Sequence, residues 1–157
     1  MRFSDQFLWW GEKKRRNCPH EGMDYATYLT HTGHCHSIMP GLAVPGIFDG
    51  QVARLLPDFL AWTVFVQHAQ YQSDLGCLFS VYAHLQPAGS LNAGQKIVQG
   101  DLLGTVESFT IQARVPLHLH FTVAWIKPGV SLNRLDWELL NDAEWATLMN
   151  PLAVFRV

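Results

Sequence analysis

Cysteine, charge and long apolar runs are all scarce in this sequence, and each scarcity excludes something. Three cysteines in 157 residues, Cys18, Cys35 and Cys77, cannot build the disulfide framework of a small secreted scaffold. Charged residues make up 15% of the chain and the net charge is −2, so there is no basic footprint for nucleic acid. No apolar stretch reaches the ~20 residues of a membrane-spanning helix. The leading residues lack the form of a secretory signal, because Asp5, Gln6 and Gly11 interrupt any apolar run. The expectation is a protein with no transmembrane segment, either kept inside the cell or exported by a segment outside these residues. One local exception to the low charge is Glu12-Lys13-Lys14-Arg15-Arg16. It reads as a solvated loop, or as a contact to an anionic polymer or a substrate carboxylate.

What the chain does have is core material: 48% of its residues are hydrophobic, enough for one domain spanning 1–157. In the leading segment, Phe7-Leu8-Trp9-Trp10 is expected to dock on the core. Residues 18–40 read as loop. From about Leu42 the pattern becomes a ladder of strands. Leu42 to Phe48 and Gln51 to Leu56 are expected to form a hairpin at Asp49-Gly50, a strong turn pair. Leu60 to His68 and Leu78 to Leu85 follow as a second hairpin, and Phe59 to Val66 reads as a buried strand. Short runs at Lys96 to Val98 and Leu102 to Val106 are punctuated by glycine, and Leu117 to Ile126 is a long apolar strand. After Pro128-Gly129 the pattern turns helical over about 131–150. Asn141 and Glu144 resemble a capping box ahead of Trp145 and Leu148, and Pro151 ends that helix. The sum is a mainly β, antiparallel domain with a motif-bearing core over about 18–128 and a short C-terminal helical tail.

Three histidine-bearing motifs stand out: His20-Glu21-Gly22-Met23-Asp24, Val81-Tyr82-Ala83-His84-Leu85 and His118-Leu119-His120-Phe121. A catalytic zinc takes three ligands from the His/Asp/Glu/Cys set and keeps an open position for water. Residues i and i+2 of a strand point to one face about 6.6–6.8 Å apart. His118 and His120 can therefore divide the work, one holding a metal and the other leaning over it, while Leu119 and Phe121 face a core. His20 and Asp24 lie four apart, with Gly22 between them to let the backbone bend. The stretch is not the helical His-Glu-x-x-His motif, since its fifth residue is Asp and Gly22 would weaken the helix, so Glu21 is not assigned as a base. His84 is expected to share a strand face with Tyr82. His31, His34, Cys35 and His36 form a dense cluster that reads as a solvated loop or a second metal site. Taken singly, each motif also fits an ordinary surface or structural histidine.

The three motifs in this order resemble the lysostaphin-type zinc metallopeptidases, endopeptidases of peptidoglycan built on a duplicated hybrid antiparallel β-sheet. Asp49-Gly50-Gln51-Val52 resembles a turn of that family, and Gly94 to Gly104 resembles its glycine-punctuated segment. The resemblance runs from about His20 to Ile126. It implies one zinc ion held by His20, Asp24 and His120, with His118 and His84 as the catalytic pair. It also implies a peptidoglycan or peptide substrate, and a place in the cell envelope or outside the cell. The chain departs from the family pattern in the long connection from Asp24 to Asp49 and in the glycine-free approach from Phe109 to Leu117.

The resulting expectation is a zinc-dependent metalloendopeptidase acting on cross-links or stem peptides. Its groove would be walled by the loop after Asp24, by Gln86 to Leu91 and by Phe109 to Pro116, with the His31–His36 insertion as a candidate cover. The alternative is a non-catalytic or latent zinc-bearing module of the same fold that binds the cell wall or regulates another hydrolase. A cupin-like His-x-His enzyme is a third reading, disfavoured because no acidic residue closely follows His120.

Overall fold

The computed structural model describes residues 1–107 and 115–156. Eleven strands and one short helix are described: β1 (Met23–Tyr25), β2 (Thr27–Leu29), β3 (Cys35–Ser37), β4 (Ala43–Pro45), β5 (Gly50–Pro57), β6 (Trp62–Ser73), β7 (Gly76–Pro87), β8 (Lys96–Ile97), β9 (Leu102–Val106), β10 (Leu119–Ile126), α1 (Trp137–Leu140) and β11 (Ala146–Met149). Nine strands form one antiparallel sheet along the path β1-β10-β7-β6-β5-β8, with β11 on β10 and β9 bridging β4 and β7. β2 and β3 make a separate two-stranded hairpin.

The long central strands explain the architecture. β7 is buried along almost all of its length and is paired on both sides, with β6 and with β10. A strand covered on both faces reads as a near-continuous apolar run, and Cys77 to Leu85 is broken only by Ser80 and His84. One core cluster gathers Val52, Val64, Val66, Tyr82, Leu85, Leu103 and Phe121. A second gathers Phe65, Phe79, Val81, Ala124, Leu135, Leu139 and Leu140 and carries the C-terminal segment. The sheet therefore packs a different set of side chains on each face.

The structure bears out the mainly β, antiparallel fold and the β6–β7 hairpin, whose pairing runs to Ser73 opposite Gly76. It corrects three local expectations. Asp49-Gly50 is not a hairpin turn: β4 pairs with β9, and β5 with β6 and β8. The Asp49 carbonyl instead accepts from the His68 ring and the Gln70 amide, while its carboxylate accepts from Gln99 N, so this corner is committed to other parts of the sheet. The chain before Trp62 is a turn, with Phe59 78% exposed, so the buried strand starts three residues later. In the tail, α1 ends before Asn141, and Asp136 caps it by accepting from Leu139 N. Residues 146–149 are strand rather than helix, because β10 offers an edge there, with Val123 opposite Met149 and Ile126 opposite Ala146. Edge pairing gives alternate residues of this segment backbone partners on β10, where a short isolated helix would leave its terminal groups to solvent. The tail's helical content is α1 and two 3-10 turns, Leu132–Arg134 and Pro151–Arg156.

Candidate metal centre

Strand register builds the first half of the site. Residues directly opposite across a ladder share a face. Phe121 lies opposite Met23 and Tyr82, and this face belongs to the core. The alternate face carries His120, opposite Asp24 on one side and Ala83 on the other. His20 comes from the segment leading into β1, which crosses close over β10. Gly22 permits that crossing: a Cβ there would collide with the Phe121 carbonyl and the Thr122 hydroxyl. The glycine is required for close approach of two backbones rather than for a bend.

His20 Nε2, His120 Nδ1 and Asp24 Oδ1 converge. The two ring nitrogens are 3.0 Å apart, and the carboxylate oxygen lies 3.1 Å from His20 Nε2 and 2.9 Å from His120 Nδ1. All three residues are buried, and together they are the group among the described residues with the spacing to hold a metal ion. The far side of each group is anchored. His20 Nδ1 is 3.0 Å from the Arg2 carbonyl, an obligate acceptor, so the ring's proton sits there and Nε2 presents a lone pair inward. His120 Nε2 contacts Thr122 Oγ1 at 2.9 Å, which suits Nδ1 as its inward lone pair. Asp24 Oδ2 accepts from Trp9 Nε1 at 2.7 Å, leaving Oδ1 to point into the centre. Burial works against ionisation of Asp24, but the close approach of the His120 and His20 rings outweighs it and holds the carboxyl well below its usual range. Burial lowers the pKa of His120, against the pull of Asp24.

The second half of the site is irregular. His118 precedes β10; its Nδ1 donates to the Pro116 carbonyl at 2.7 Å and its Nε2 lies 3.7 Å from Asp24 Oδ1. Burial, partly offset by Asp24, pushes its pKa down to about 4, so the ring is neutral near pH 7. Plain alternation would put His84 on the core face with Tyr82, the expected arrangement. The register between β6 and β7 shifts between Trp62 and Val64, and His84 takes φ 67°, in the left-handed region. That bulge carries its ring into the site, 4.9 Å between centroids from His118 and 6.0 Å from His120. A non-glycine residue there costs about 1–3 kcal/mol and needs surrounding structure to hold it. Asp58 supplies it, accepting from His84 N at 3.1 Å and His84 Nδ1 at 3.2 Å.

A cavity of about 200 Å³ opens onto these groups, lined also by Trp10, Arg16, Glu21, Phe59 and Trp137. The walls differ from expectation: none of the described lining comes from the loop after Asp24 or from Gln86 to Leu91, and the expected wall at 109–116 falls largely on residues 108–114, outside the described ones. Instead the leading segment folds into a small hairpin in which Phe7 bridges Arg15, Leu8 N donates to Lys14 O and Arg16 N donates to Gln6 O. Its tip sets Trp10 parallel over His118, at 6.1 Å and 28°, and Trp9 edge-on to the same ring. Of the aromatic run expected on the core, Trp9 and Trp10 meet the site instead, while Phe7 is exposed. Arg16 pairs with Glu21 at 2.9 Å, so part of the basic run is locally neutralised.

Other candidates stay apart. His31, His34, Cys35 and His36 are exposed on or beside the β2–β3 hairpin and line no part of this cavity. Cys18 and Cys35 are exposed and outside the metal-spaced group. His68 is buried between the Asp49 carbonyl and Ser80 Oγ, each at 2.8 Å, a structural role that burial accompanies with a lowered pKa. Sequence reasoning missed Asp58, Trp9 and Thr122. Thr122 was reachable, being two residues from His120 on one strand. Asp58 and Trp9 were not, because their contacts depend on a bulge and on the fold of the leading hairpin.

The family model for Peptidase family M23 matches residues 19–133. In structure the chain is similar to Helicobacter pylori Csd3, with a TM-score of 0.54 and 23% identity, covering 99% of this chain and 31% of that one. It is also similar to cbpa from L. salivarius REN, with a TM-score of 0.53 and 22% identity, covering 96% and 84%. A third likeness is to the catalytic domain of the antimicrobial peptidase lysostaphin from Staphylococcus simulans, with a TM-score of 0.51 and 17% identity, covering 87% and 91%. At these identities the likeness is one of fold. A search of curated proteins finds no match.

Proposed function

The chain belongs to peptidase family M23, and on that premise we propose that it is a zinc-dependent metalloendopeptidase hydrolysing peptide bonds in peptidoglycan cross-links or stem peptides. The observation that carries the reading is the convergence of two imidazole lone pairs and a carboxylate oxygen within about 3 Å of one another. Three acceptors facing one point repel unless a cation or proton lies among them. Ligand atoms around a tetrahedral zinc with bonds of about 2.0–2.1 Å stand about 3.3 Å apart, so the donor set fits that ion in kind and spacing. His20, Asp24 and His120 would hold it.

Zinc bound there would supply Lewis-acid polarisation of the scissile carbonyl and a water of lowered pKa. The chain's own groups would do the rest. His118, its Nδ1 proton tied to the Pro116 carbonyl, offers Nε2 as general base and takes the water's proton there. Its low pKa keeps that lone pair available through neutral pH. His84 faces the same space and hydrogen-bonds the attacking water or the developing oxyanion. Trp10 stacks over His118 and lines the cavity on that side.

One observation favours a second reading, a latent or regulatory form of the same module. The leading hairpin brings Trp9 and Trp10 against the centre, and the cavity of about 200 Å³ is below the ~300–1,000 Å³ of an ordinary ligand pocket. The experiment that tests the main reading is metal analysis of the purified chain together with incubation on purified peptidoglycan. Stoichiometric zinc and release of soluble muropeptides, both abolished by chelation and restored by zinc, are expected. Zinc without release would favour the latent form, and no zinc would overturn both.

A further inference from the structure

Asp58 lies in the turn between β5 and β6 with its side chain 2% exposed. Its carboxylate receives five donors. Oδ1 accepts from Leu60 N and Ala61 N, both at 2.8 Å, and from His84 Nδ1 at 3.2 Å. Oδ2 accepts from Thr63 Oγ1 at 2.9 Å and His84 N at 3.1 Å. A carboxylate so surrounded by donors is an acceptor at both oxygens. The two bonds to its own turn are ones an asparagine or serine could make. Burying a full charge for them alone would be costly. What distinguishes Asp58 is that it grips backbone and ring of one residue 26 positions away. That residue, His84, sits at φ 67°, a conformation that other contacts must hold in place. Phe59, the next residue of the turn, meets the His84 ring edge to face at 5.3 Å. The turn is therefore a cradle for one imidazole.

The donor logic goes further than orientation. Because Nδ1 faces an ionised acceptor, it carries the ring's proton, and in the neutral ring the lone pair is on Nε2. A histidine with a lone pair at Nε2 accepts a hydrogen bond from water and does not donate one to an oxyanion. We propose that Asp58 is the positioning residue for His84, fixing both the left-handed backbone and the Nδ1–H tautomer, so that Nε2 serves as acceptor for the attacking water. The inference rests on the endopeptidase reading above and selects between the two partners which that reading allows His84. The same arrangement of buried carboxylate, imidazole and reacting group recurs wherever an acid must hold a histidine in one tautomer.

The test uses the zinc-loaded chain with 15N-labelled histidine, read by long-range 1H–15N spectra at alkaline pH, and a soluble cross-linked muropeptide dimer as substrate. In the wild type, His84 should show a protonated Nδ1 and an unprotonated Nε2. Asp58→Asn should remove that single tautomeric signature and lower kcat by about 10- to 100-fold, with KM within about twofold and zinc content unchanged. A wild-type His84 that carries its proton on Nε2 overturns the proposal, whether or not any variant folds. So does an Asp58→Asn protein whose His84 spectrum is unchanged, whatever its stability or activity. If the wild type fails to cleave the dimer, the endopeptidase reading fails, while the His84 spectrum still decides the role of Asp58.

Discussion

The two sides of the site are held by opposite means. His20, Asp24 and His120 owe their convergence to regularity: an antiparallel register that sets Asp24 opposite His120, and a glycine that lets the preceding segment cross β10. His84 owes its place to a break in regularity, a bulge with a left-handed residue tied down by Asp58. Regular positions carry the groups proposed to stay fixed around an ion. The irregular position carries a group proposed to work beside it. The difference implies that the first half tolerates little change in backbone spacing, and that the second depends on a side-chain bond.

The largest expected effect separates ligation from catalysis. His20→Ala, Asp24→Ala and His120→Ala should each lose zinc and fall to background hydrolysis. His118→Ala and His84→Ala should keep zinc and lose about 10²–10⁴-fold in kcat, the scale of a positioned proton-transfer group. Zinc content by elemental analysis, set beside release of soluble muropeptides, checks both halves. Loss of zinc from His118→Ala with retention in His120→Ala would reverse the division between the two sides.

How far the sequence could be read follows the same division. Alternation along the apolar run from Leu117 to Ile126 was enough to expect His118 and His120 on one side and Phe121 in the core, because a strand's period is two, although β10 itself begins only at Leu119. The five proposed site residues do meet, and the antiparallel β class follows from short apolar runs separated by turns. What escaped is where the chain leaves a period. Asp49-Gly50 has the composition of a hairpin turn, but its polar groups serve His68, Gln70 and Gln99 from distant strands. The capping-box pattern at Asn141 lost to an open edge on β10, and Asp136 caps the real helix instead. His84 was expected on the face of Tyr82, and the bulge moved it. Asp58 could not have been matched to His84 without the register that brings Trp62 opposite Leu85.

The acid side of the comparison is a stability experiment on metal-free protein. Burial holds His118 at about 4, below the ~6.5 of an unfolded histidine. Between those values the unfolded chain binds the proton and the folded one does not, so stability rises with pH through the window and falls on acidification. Across that whole window the single ring contributes a change on the order of 3 kcal/mol. His68 and His120 shift in the same direction. Urea unfolding at pH 7 and near pH 4.5 should show the wild type losing more stability than His118→Ala. Equal losses would mean that His118 is not buried as neutral imidazole.

Gly22→Ala tests the regular half through its backbone. The added methyl meets the Phe121 carbonyl and the Thr122 hydroxyl, neither of which is the loose end of a flexible side chain. Overpacking of this kind costs about 1–3 kcal/mol. Moving β10 away from the His20 segment also parts His20 from His120, so a lower Tm should come with weaker zinc binding. A lower Tm with zinc affinity unchanged would show that the three ligands follow one another when the strands separate.

The smallest effect is expected at the hairpin tip, and there the sign matters more than the size. Trp10 lies flat on His118 and lines the cavity, and Trp9 donates to Asp24 Oδ2. If Trp10 is a wall that holds His118 and shields it from water, Trp10→Ala should lower hydrolysis several-fold and leave zinc in place. If the tip is a cover, the same change opens the site and hydrolysis rises. Trp9→Phe serves as the comparison, because it keeps the aromatic ring and removes one hydrogen bond to the carboxylate. Loss of such a bond should weaken zinc binding about 10-fold or more. A rise in activity for Trp10→Ala, together with weaker zinc binding for Trp9→Phe, would assign the two neighbours opposite duties: Trp10 closing the site, and Trp9 completing it.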